Sequence, residues 1–395
     1  MLLAAERLIT ADGDAGAGWL RIDRAIIAEM GAGRPPAPPD LSLSTVFAGF
    51  VDIHAHGAMG HDFGRVGDDP ETVIAYHAAS GTTSLVATLA TAPLRSLVDR
   101  VRELAPLVRD GSLAGLHLEG PWISSVRRGA HHPDLLRPPA IDDIDRIIDA
   151  GDGTIRMVTL APELPGALQA IERLVGAGVI AALGHTDADY ATTMCALDAG
   201  ATVGTHLYNG MRPLHHRDPG LAGVMLTDQR ATVELIGDGV HVHDAIVDLT
   251  LAAAAGRVAL ISDCMSAAGL PDGVHELAGS RVRVTGGVAE LADGSSLAGS
   301  TSTLGHTVAR LLARGVSPVV LADAAITRPA AALALKTPEL RLGGPADLVE
   351  IASGGVARAM KNGEWVDPAI GSPRIPGNLP DAMALLSNAC NIASN

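Results

Sequence analysis

The chain has 395 residues, which suggests one large domain and a smaller one, because single hydrophobic cores stop growing at roughly 250–300 residues. Hydrophobic residues make up 47% of the chain and charged residues 18%, so we expect a sizeable core and no general disorder. The formal net charge of -15 argues against broad binding to nucleic acids or anionic membranes. An anionic small substrate would need a local cluster of basic residues.

The cysteines and the N-terminal segment bear on the compartment. Cys195, Cys264 and Cys390 show no paired spacing, so neither a disulfide framework nor a cysteine-based zinc site is indicated. The N-terminus lacks a basic segment followed by an apolar one, and no stretch of about 18 uncharged apolar residues occurs. We therefore expect a soluble cytoplasmic protein that has no membrane or nucleic-acid partner.

The two ends of the chain share a pattern of short apolar runs separated by turn residues. Residues 1–47 alternate such runs with Gly and Asp, and the same style returns within residues 345–385. We expect the two segments to pair into a small β-sandwich-like domain that flanks the main body. For residues 373–395 the sequence indicates only a short helix and a loose tail.

The middle of the chain, residues 48–344, alternates β-branched apolar runs with amphipathic stretches such as RSLVDRVRELAPLVRD. Several of these stretches are followed by Gly, as is typical after a helix end. Eight strand–helix units predict an α/β fold of the (β/α)8 TIM-barrel type. The eight runs are GFVDIHAH, TTSLVATLAT, LAGLHLEGP, IRMVTLAPE, IAALGHTDAD, ATVGTHLYNG, TVELIGDGVH and VALISDCMSA.

Chemically capable residues gather at the C-terminal ends of these runs, which is where barrel enzymes place their active sites. His54 and His56 end the first run with an alternate spacing. Because positions i and i+2 of a strand face the same side, the two imidazoles can converge on one metal ion. The pair alone is weak evidence, and its position at the first barrel strand gives it weight.

Glu119, His185 and His206 end the third, fifth and sixth runs. A carboxylate at a buried strand end needs a partner, either an ion pair or a metal. The only lysines, Lys336 and Lys361, follow the eighth run, so no barrel strand can supply a lysine that bridges two metals. Glu119 is then the natural bridging or anchoring ligand. Two histidines and a carboxylate suit zinc or iron with an open position.

Asp263 ends the eighth run, in LISDCM. A carboxylate beside a metal site can act as general base towards water and as general acid towards a leaving amine. The alternative is a structural cap at the start of a helix over CMSAAG, because Asp is a good N-cap residue.

A loop after the sixth run, Asn209 to Gly223, contains Arg212, His215, His216 and Arg217. Because Arg makes bidentate contacts with phosphate, this loop is the candidate anion site in an otherwise acidic chain. The alternative is an ordinary solvated loop. His241, which follows a Gly-flanked Asp after the seventh run, is a second candidate for binding a substrate anion, and the Gly/Ser loop SLAGSTSTLG is a weak one.

Several blocks together resemble the N-acetylglucosamine-6-phosphate deacetylases of the amidohydrolase superfamily, from about Ala48 to Gly344. They occur in the family's order, which is more specific than any one of them. The blocks are HLEGPW, RRGAHHP, APE, LGHTDA, THLYNGM, RDPGLAG, DGVHV, SDCMSAAG and LAGSTSTL.

The resemblance implies a role for particular positions. Asp263 matches the catalytic acid/base, and His131 matches the histidine that contacts the sugar or its acetyl carbonyl. Gly210 lies with the substrate contacts, although the family often has another residue there. The remaining matches are Glu119, His185 and His206 as metal ligands, His54 and His56 as ligands of a second metal in some members, and Asn209, Arg217 and His241 as holders of the 6-phosphate.

The resemblance also implies a divalent metal cofactor, zinc or iron, with one or two ions per subunit. The matching Arg reaches into a neighbouring subunit's site in the family, which implies a homodimer. The implied reaction is hydrolysis of an amino sugar phosphate to acetate and the free amine. Alternatives are a galactosamine isomer as substrate, a cyclic-amide hydrolase, a deaminase, and a catalytically inactive barrel that senses sugar phosphates.

Overall fold

The computed structural model describes residues 1–277 and 279–367. Three of the expectations above fall outside these residues: the last part of the small β-domain (368–385), the short helix and tail within 373–395, and Cys390.

The strands are numbered in chain order. They are β1 (Leu2–Thr10), β2 (Gly13–Asp14), β3 (Gly18–Asp23), β4 (Ile26–Ala32), β5 (Leu41–Ala48), β6 (Phe50–Ala55), β7 (Gly57–Ala58), β8 (His61–Asp62), β9 (Thr82–Ala90), β10 (Gly115–Glu119), β11 (Ile155–Leu160), β12 (Ile180–Leu183), β13 (Val203–Gly204), β14 (Thr232–Ile236), β15 (Val258–Ile261), β16 (Gly273–Leu277), β17 (Ser280–Thr285), β18 (Val288–Leu291), β19 (Leu348–Ala352), β20 (Gly355–Lys361) and β21 (Glu364–Trp365).

The helices alternate with the strands over most of the chain. They are α1 (Pro70–Ala79), α2 (Leu94–Arg109), α3 (Ile141–Gly151), α4 (Ala167–Gly176), α5 (Tyr190–Asp198), α6 (Gly220–Thr227), α7 (Asp244–Ala253), α8 (Leu304–Ala313), α9 (Pro318–Ala322) and α10 (Arg328–Ala332), with short 3-10 turns at Ser125–Arg127 and Pro133–Leu135 and a π turn at Asp323–Thr327.

The eight predicted runs form one parallel sheet in the order β15-β14-β13-β12-β11-β10-β9-β6. Its two edge strands approach each other, because Asp263 N–H donates to the carbonyl of His54 at 2.9 Å and Ala55 bridges Cys264 in parallel. A helix follows each strand, from α1 after β6 to α8 after β15. The prediction of a (β/α)8 barrel is therefore confirmed, and the carboxyl ends of all eight strands meet at one face.

The amphipathic pattern of α2 places its apolar side chains against the barrel, as the sequence predicts. Leu97, Val101 and Leu104 are completely buried against the barrel, while Val98 and Val108 are partly buried. Gly111, two residues after the helix ends, has a φ of +86°, a conformation that glycine adopts without strain.

Strands from both ends of the chain form a second sheet in the order β21-β20-β19-β5-β1-β3-β4, with β2 paired to β1. The connection between the two ends is the antiparallel pairing of β19 with β5, in which Leu348 lies opposite Ala48. This confirms that the terminal segments associate. Because β5 leads directly into β6, this sheet is connected without a long linker to the first strand of the barrel.

A three-stranded antiparallel sheet, β16-β17-β18, is inserted between β15 and α8. These three strands were not among the predicted elements. Gly286 and Gly287 form a two-residue turn between β17 and β18. Val282 and Val284, at alternate positions of β17, both point into a small separate core. This insertion matters for function because its edge reaches the cavity described below.

The described helices include none that is long and apolar enough to cross a membrane.

Candidate active site

A cavity of about 250 Å³ opens at the carboxyl ends of the barrel strands. It brings together most of the residues that the sequence singled out, from six different barrel strands or the loops that follow them. Its lining consists of His56, Glu119, Gly129, Ala130, His131, His185, His206, Tyr208, Asn209, Gly210, His241, Asp263, Leu277, Ser296, Leu297 and Gly299.

Backbone strain concentrates at the same place. His185, His206 and Asp263 each follow a barrel strand and have φ angles of 46°, 29° and 49°. Left-handed backbone at a non-glycine residue costs on the order of 1–3 kcal/mol and persists where the surroundings fix it. At His185 the surroundings include Glu163, whose carboxylate accepts hydrogen bonds from Thr186 Oγ1 at 2.5 Å and from the backbone N–H of Asp187 at 2.6 Å.

One group of ligand atoms forms around a single oxygen of Glu119. Oε1 lies 3.1 Å from Nε2 of His185 and 2.9 Å from Nε2 of His206, and these two nitrogens are 3.1 Å apart. The Nδ1–H of His185 donates to the carbonyl of Arg127 at 2.8 Å, which leaves the lone pair on Nε2. All three side chains are almost completely buried.

A second group forms around His56. Its Nε2 lies 3.3 Å from Nε2 of His54, 3.3 Å from Oδ1 of Asp263 and 3.2 Å from Oε2 of Glu119. Burial alone would raise the pKa of Asp263, but the hydrogen bond from His56 and the charge of His54 bring that pKa below its usual range. Asp263 is therefore an ionised carboxylate that faces the cavity, not the helix cap that was the alternative.

These groups fit a divalent metal. With Zn–N bonds of roughly 2.0–2.1 Å, neighbouring ligand atoms of a tetrahedral site are about 3.3 Å apart, close to the separations seen here. The outer nitrogens, Nδ1 of His56 and Nδ1 of His206, are buried without a hydrogen-bond partner among the described residues. Glu119 offers Oε1 to the first group and Oε2 to the second, so its carboxylate can serve one ion or bridge two.

His131 also contacts the carboxylate of Glu119, with Nε2 at 3.3 Å from Oε2. Nδ1 of His131 lies 2.8 Å from Oγ1 of Thr91 and 3.4 Å from the backbone N of Thr91, and when Nδ1 accepts a hydrogen bond here the imidazole proton is on Nε2. Burial lowers the pKa of His131 to about 4, with a further contribution from the nearby His185. A neutral imidazole that donates from Nε2 can hydrogen-bond to a carbonyl oxygen in the cavity.

His241 forms a pair with Asp238 at another part of the cavity. Its Nδ1–H donates to Oδ2 of Asp238 at 2.8 Å, and Ser300 Oγ donates to the same oxygen at 3.0 Å. Burial would lower the pKa of His241, but the Asp238 carboxylate raises it above its ordinary value. A protonated His241 presents Nε2–H to an anion.

Asn209 and Gly210 lie beside the first group of ligands. The side-chain amide of Asn209 donates to the carbonyls of His206 and Leu207 at 3.3 and 3.4 Å. Gly210 has a φ of +56°, and a Cβ atom there would lie 2.8 Å from Nδ1 of His185. Glycine at this position therefore keeps space for the His185 ring.

The basic loop is only partly available for an anion. Arg212 forms ion pairs with Asp187 at 3.1 Å and with Asp218 at 2.8 Å. Arg217 is exposed and lies apart from the cavity, and the only contact recorded for its guanidinium among the described residues is with Nε2 of His216 at 2.7 Å. Fewer of the four basic residues that the sequence indicates are therefore free to bind an anion than the sequence alone suggests.

Several residues that complete the site were not singled out from the sequence. Leu277, at the end of β16, closes one side of the cavity, and Tyr208, with a φ of +79°, adds an aromatic ring. Beside Leu277 lie Ser296, Leu297 and Gly299, which belong to the Gly/Ser loop that the sequence indicates as a weak candidate. Glu234, within β14, accepts a hydrogen bond from His54. An acidic residue inside an otherwise apolar strand run was the available signal for Glu234.

A barrel whose strand ends hold histidines and carboxylates around one cavity is typical of hydrolases that use a divalent metal. The sequence profile of the amidohydrolase family matches residues 45–366. This chain belongs to the amidohydrolase family, as the resemblance predicted.

Curated relatives and solved structures agree with the family. The N-acetylgalactosamine-6-phosphate deacetylase of Escherichia coli O157:H7 is 38% identical over 361 residues, which cover 89% of this chain and 95% of that protein. The N-acetylglucosamine-6-phosphate deacetylase of Vibrio furnissii is 40% identical over 275 residues, 68% of this chain and 67% of that protein.

A structure of N-acetyl-D-glucosamine-6-phosphate deacetylase from Mycobacterium smegmatis, a point mutant in complex with N-acetyl-D-glucosamine-6-phosphate, superimposes with a TM-score of 0.88. It is 45% identical and covers 93% of this chain and 99% of that chain.

Proposed function

We propose that this amidohydrolase hydrolyses N-acetylglucosamine-6-phosphate to glucosamine-6-phosphate and acetate. The observation that carries the proposal is that one cavity contains histidines and a carboxylate that fit a divalent metal, an ionised Asp263 and a phosphate-binding candidate, His241. The substrate follows the names of the relatives, several of which are N-acetylglucosamine-6-phosphate deacetylases.

Each protein group then has a defined task. Asp263 takes the proton of the attacking water and later delivers it to the nitrogen of the departing amine. His131 donates its Nε2–H to the acetyl carbonyl oxygen, where negative charge develops during attack. The buried walls of the cavity exclude bulk water, so these interactions act at low dielectric.

Glu119, His185 and His206 would hold the catalytic ion, and His54 and His56 a second one. A divalent cation supplies Lewis acidity there: it polarises the substrate carbonyl and makes water more acidic. We propose zinc, with iron as the alternative, because two histidines and a carboxylate suit both metals. The number of ions, one or two, depends on whether His54 and His56 are occupied.

For the phosphate we propose Asn209 and His241 as contacts within the chain and Arg217 as a contact from a second subunit of a homodimer. We propose Gly210 as a further substrate contact. Arg217 supports this role because it is exposed, lies outside the cavity of its own chain and pairs with no carboxylate among the described residues. Replacing the Arg217 side chain should therefore weaken phosphate binding, although this side chain does not line the cavity of its own chain.

The proposal also covers the domain boundaries and the cellular compartment. We propose residues 1–47 and 345–385 as a domain distinct from the barrel over 48–344, because β1–β5 and β19–β21 share one sheet. We propose the cytoplasm as the compartment, since phosphorylated sugars are charged metabolites that membranes retain.

N-acetylgalactosamine-6-phosphate is a second candidate substrate. The relative that carries this activity in its name matches 95% of its own length at 38% identity. The two sugars differ only in the configuration at C4, far from the acetamide, so the same chemistry serves both.

The test is acetate release from equal concentrations of the two phosphorylated sugars, with ring opening of a cyclic amide such as dihydrouracil followed separately by chromatography of its product. We expect a higher kcat/KM for the gluco isomer. A preference for the galacto isomer would change the substrate and keep the reaction, whereas activity confined to the cyclic amide would contradict the proposal.

A further inference from the structure

Glu234 is a fully buried carboxylate behind the cavity, on strand β14. Its Oε2 accepts a hydrogen bond from Nδ1–H of His54 at 3.1 Å and another from the backbone N–H of His206 at 3.2 Å. One oxygen thus contacts a residue from each of the two candidate ligand groups. None of the roles described above uses this carboxylate.

The contact with His54 fixes how that imidazole is used. When Nδ1 carries the proton and donates to Glu234, the lone pair is on Nε2. That nitrogen points into the second group, 3.3 Å from Nε2 of His56 and 3.5 Å from Oδ1 of Asp263. A carboxylate behind a metal-binding histidine both orients the ring and makes it a better ligand.

The charge of Glu234 leads to the same site. An isolated carboxylate in the interior is costly unless it is paired. Across the described residues, His54 is its sole ion-pair partner, and no Arg or Lys pairs with it. Glu119 and Asp263 also lie within 3.6 Å of the His54 ring. Three carboxylates therefore approach a region in which the described side chains that can carry a positive charge are imidazoles. A cation between His54 and His56 balances this charge.

We propose that Glu234 is a positioning residue that fixes His54 as a ligand for a second divalent cation, held with His56 and Asp263. The ligand atoms of these three residues lie within 4.8 Å of one another. Through the backbone of His206, the same carboxylate also contacts the group around Glu119. The inference rests on the proposed metal-dependent function and deepens it by assigning the second ion a residue behind its ligands.

The test is metal stoichiometry, which needs no substrate. The whole protein is stripped with a chelator, titrated with Zn²⁺ in competition with a chromophoric chelator, and measured for bound zinc by mass spectrometry. We expect two ions per chain in the unmodified protein. In Glu234→Gln the weaker ion should bind about 10- to 100-fold less tightly, while the affinity of the other ion changes little.

Glu350→Gln is the matched control, because Glu350 is also buried and accepts a backbone N–H, from Ser44 at 2.9 Å, but lies in the terminal sheet. It should leave both affinities unchanged. In a His54→Ala background, Glu234→Gln should cause no further loss of zinc. Thermal unfolding of the stripped proteins checks the fold, and if Glu234→Gln does not fold, Glu234→Asp, with its shorter side chain, is tested for the same loss.

One zinc per chain in the unmodified protein would overturn the inference, as would an unchanged second affinity in Glu234→Gln. Equal loss of both ions would also overturn it, because it would indicate a general structural role. None of these outcomes decides whether the protein deacetylates a sugar phosphate, since the ion at Glu119, His185 and His206 can support that reaction alone. Acetate release measured on the same samples keeps the two questions separate.

Discussion

Asp263 holds its carboxylate at the end of β15, where Oδ1 lies 3.3 Å from Nε2 of His56. We expect Asp263→Asn to reduce kcat about 10²- to 10⁴-fold, because the amide has the same shape but cannot accept and return a proton. Steady-state acetate release and zinc content measured together check this. Zinc bound at Glu119 should remain.

The control for this change is Asp143→Asn, since Asp143 is a buried aspartate on α3 that pairs with Arg137 away from the cavity. Its kcat should stay close to that of the unmodified protein. If Asp263→Asn turned over at a near-normal rate, Asp263 would not be the acid/base.

Arg217 tests phosphate recognition. Its guanidinium is exposed and contacts only His216 among the described groups, so its removal should leave the fold intact. We expect Arg217→Ala to raise KM for the phosphorylated sugar at least tenfold and to change KM for the unphosphorylated sugar little, because a charge-assisted contact with phosphate is lost. Steady-state kinetics on both sugars measure the difference.

Arg95→Ala serves as the control, since Arg95 is a highly exposed arginine on α2 with a weak ion pair. Equal losses on both sugars in Arg217→Ala would contradict a role in phosphate binding. A monomer in solution would exclude the route through a second subunit.

At the residue scale, the candidate ligands could be predicted where a short local pattern in the sequence indicates them. The alternate spacing of His54 and His56 follows from strand geometry, and a polar residue at the end of each apolar run follows from barrel topology. Glu234 was missed because its significance lies in a contact with His54, 180 residues away along the chain. The pairing of Arg212 with Asp187 was missed for the same reason.

At the scale of elements, the loop after β13 must leave room for the loop after β12. Gly210 allows this, because a Cβ there would lie 2.8 Å from Nδ1 of His185, whose ring is already held by the carbonyl of Arg127. We expect Gly210→Ala to displace His185 and to weaken zinc binding at least tenfold. Chelator competition measures this affinity.

Gly153→Ala separates the two causes. Gly153 has a φ of +80°, but no atom lies within 4 Å of the position its Cβ would take. Both variants should lose on the order of 1–2 kcal/mol of stability from left-handed backbone, and only Gly210→Ala should lose zinc affinity. Similar zinc affinities in the two variants would contradict the steric argument.

The strand–helix alternation could be predicted because the barrel strands are mostly apolar runs that are buried on both faces. The insertion β16–β18 carried a signal too: alternating Val282 and Val284, then Gly286-Gly287, then Val288. It was overlooked because eight runs already completed a barrel. No local pattern indicated that this sheet brings Leu277 to the cavity, since that contact depends on packing between distant segments.

At the scale of the whole molecule, the pairing of β19 with β5 joins segments 300 residues apart, and shared composition at the two ends predicted the partnership without predicting the register. The barrel and this sheet contribute to one continuous apolar core. We therefore expect the barrel and this sheet to unfold together, so that the effect of a single buried group can be measured on the free energy of unfolding of the protein.

His77 on α1 is such a group. It is fully buried, and burial lowers its pKa to about 4, with only a weak opposing hydrogen bond to the carbonyl of Gly57. In the unfolded chain it takes up a proton near pH 6.5. Its contribution to stability is present above that pH and is lost as the pH falls towards 4.

Between pH 7 and pH 5.5 this loss amounts to about 1 kcal/mol of unfolding free energy. In His77→Gln the loss disappears, so the pH dependence should be shallower by that amount. Urea unfolding of both proteins at the two pH values, with the metal content held constant, measures it. Parallel pH profiles would contradict this account, because they would mean that folding does not lower the pKa of His77.

The central claim is that the cavity hydrolyses the acetamide of a phosphorylated amino sugar with the help of a divalent metal. The most direct measurement is acetate release by the zinc- or iron-loaded protein on N-acetylglucosamine-6-phosphate, with unphosphorylated N-acetylglucosamine and a chelator-stripped sample in parallel. We predict strong release from the phosphorylated sugar, much weaker release from the neutral one, and none after stripping. Absence of acetate from both sugars with the metal-loaded protein would contradict the claim.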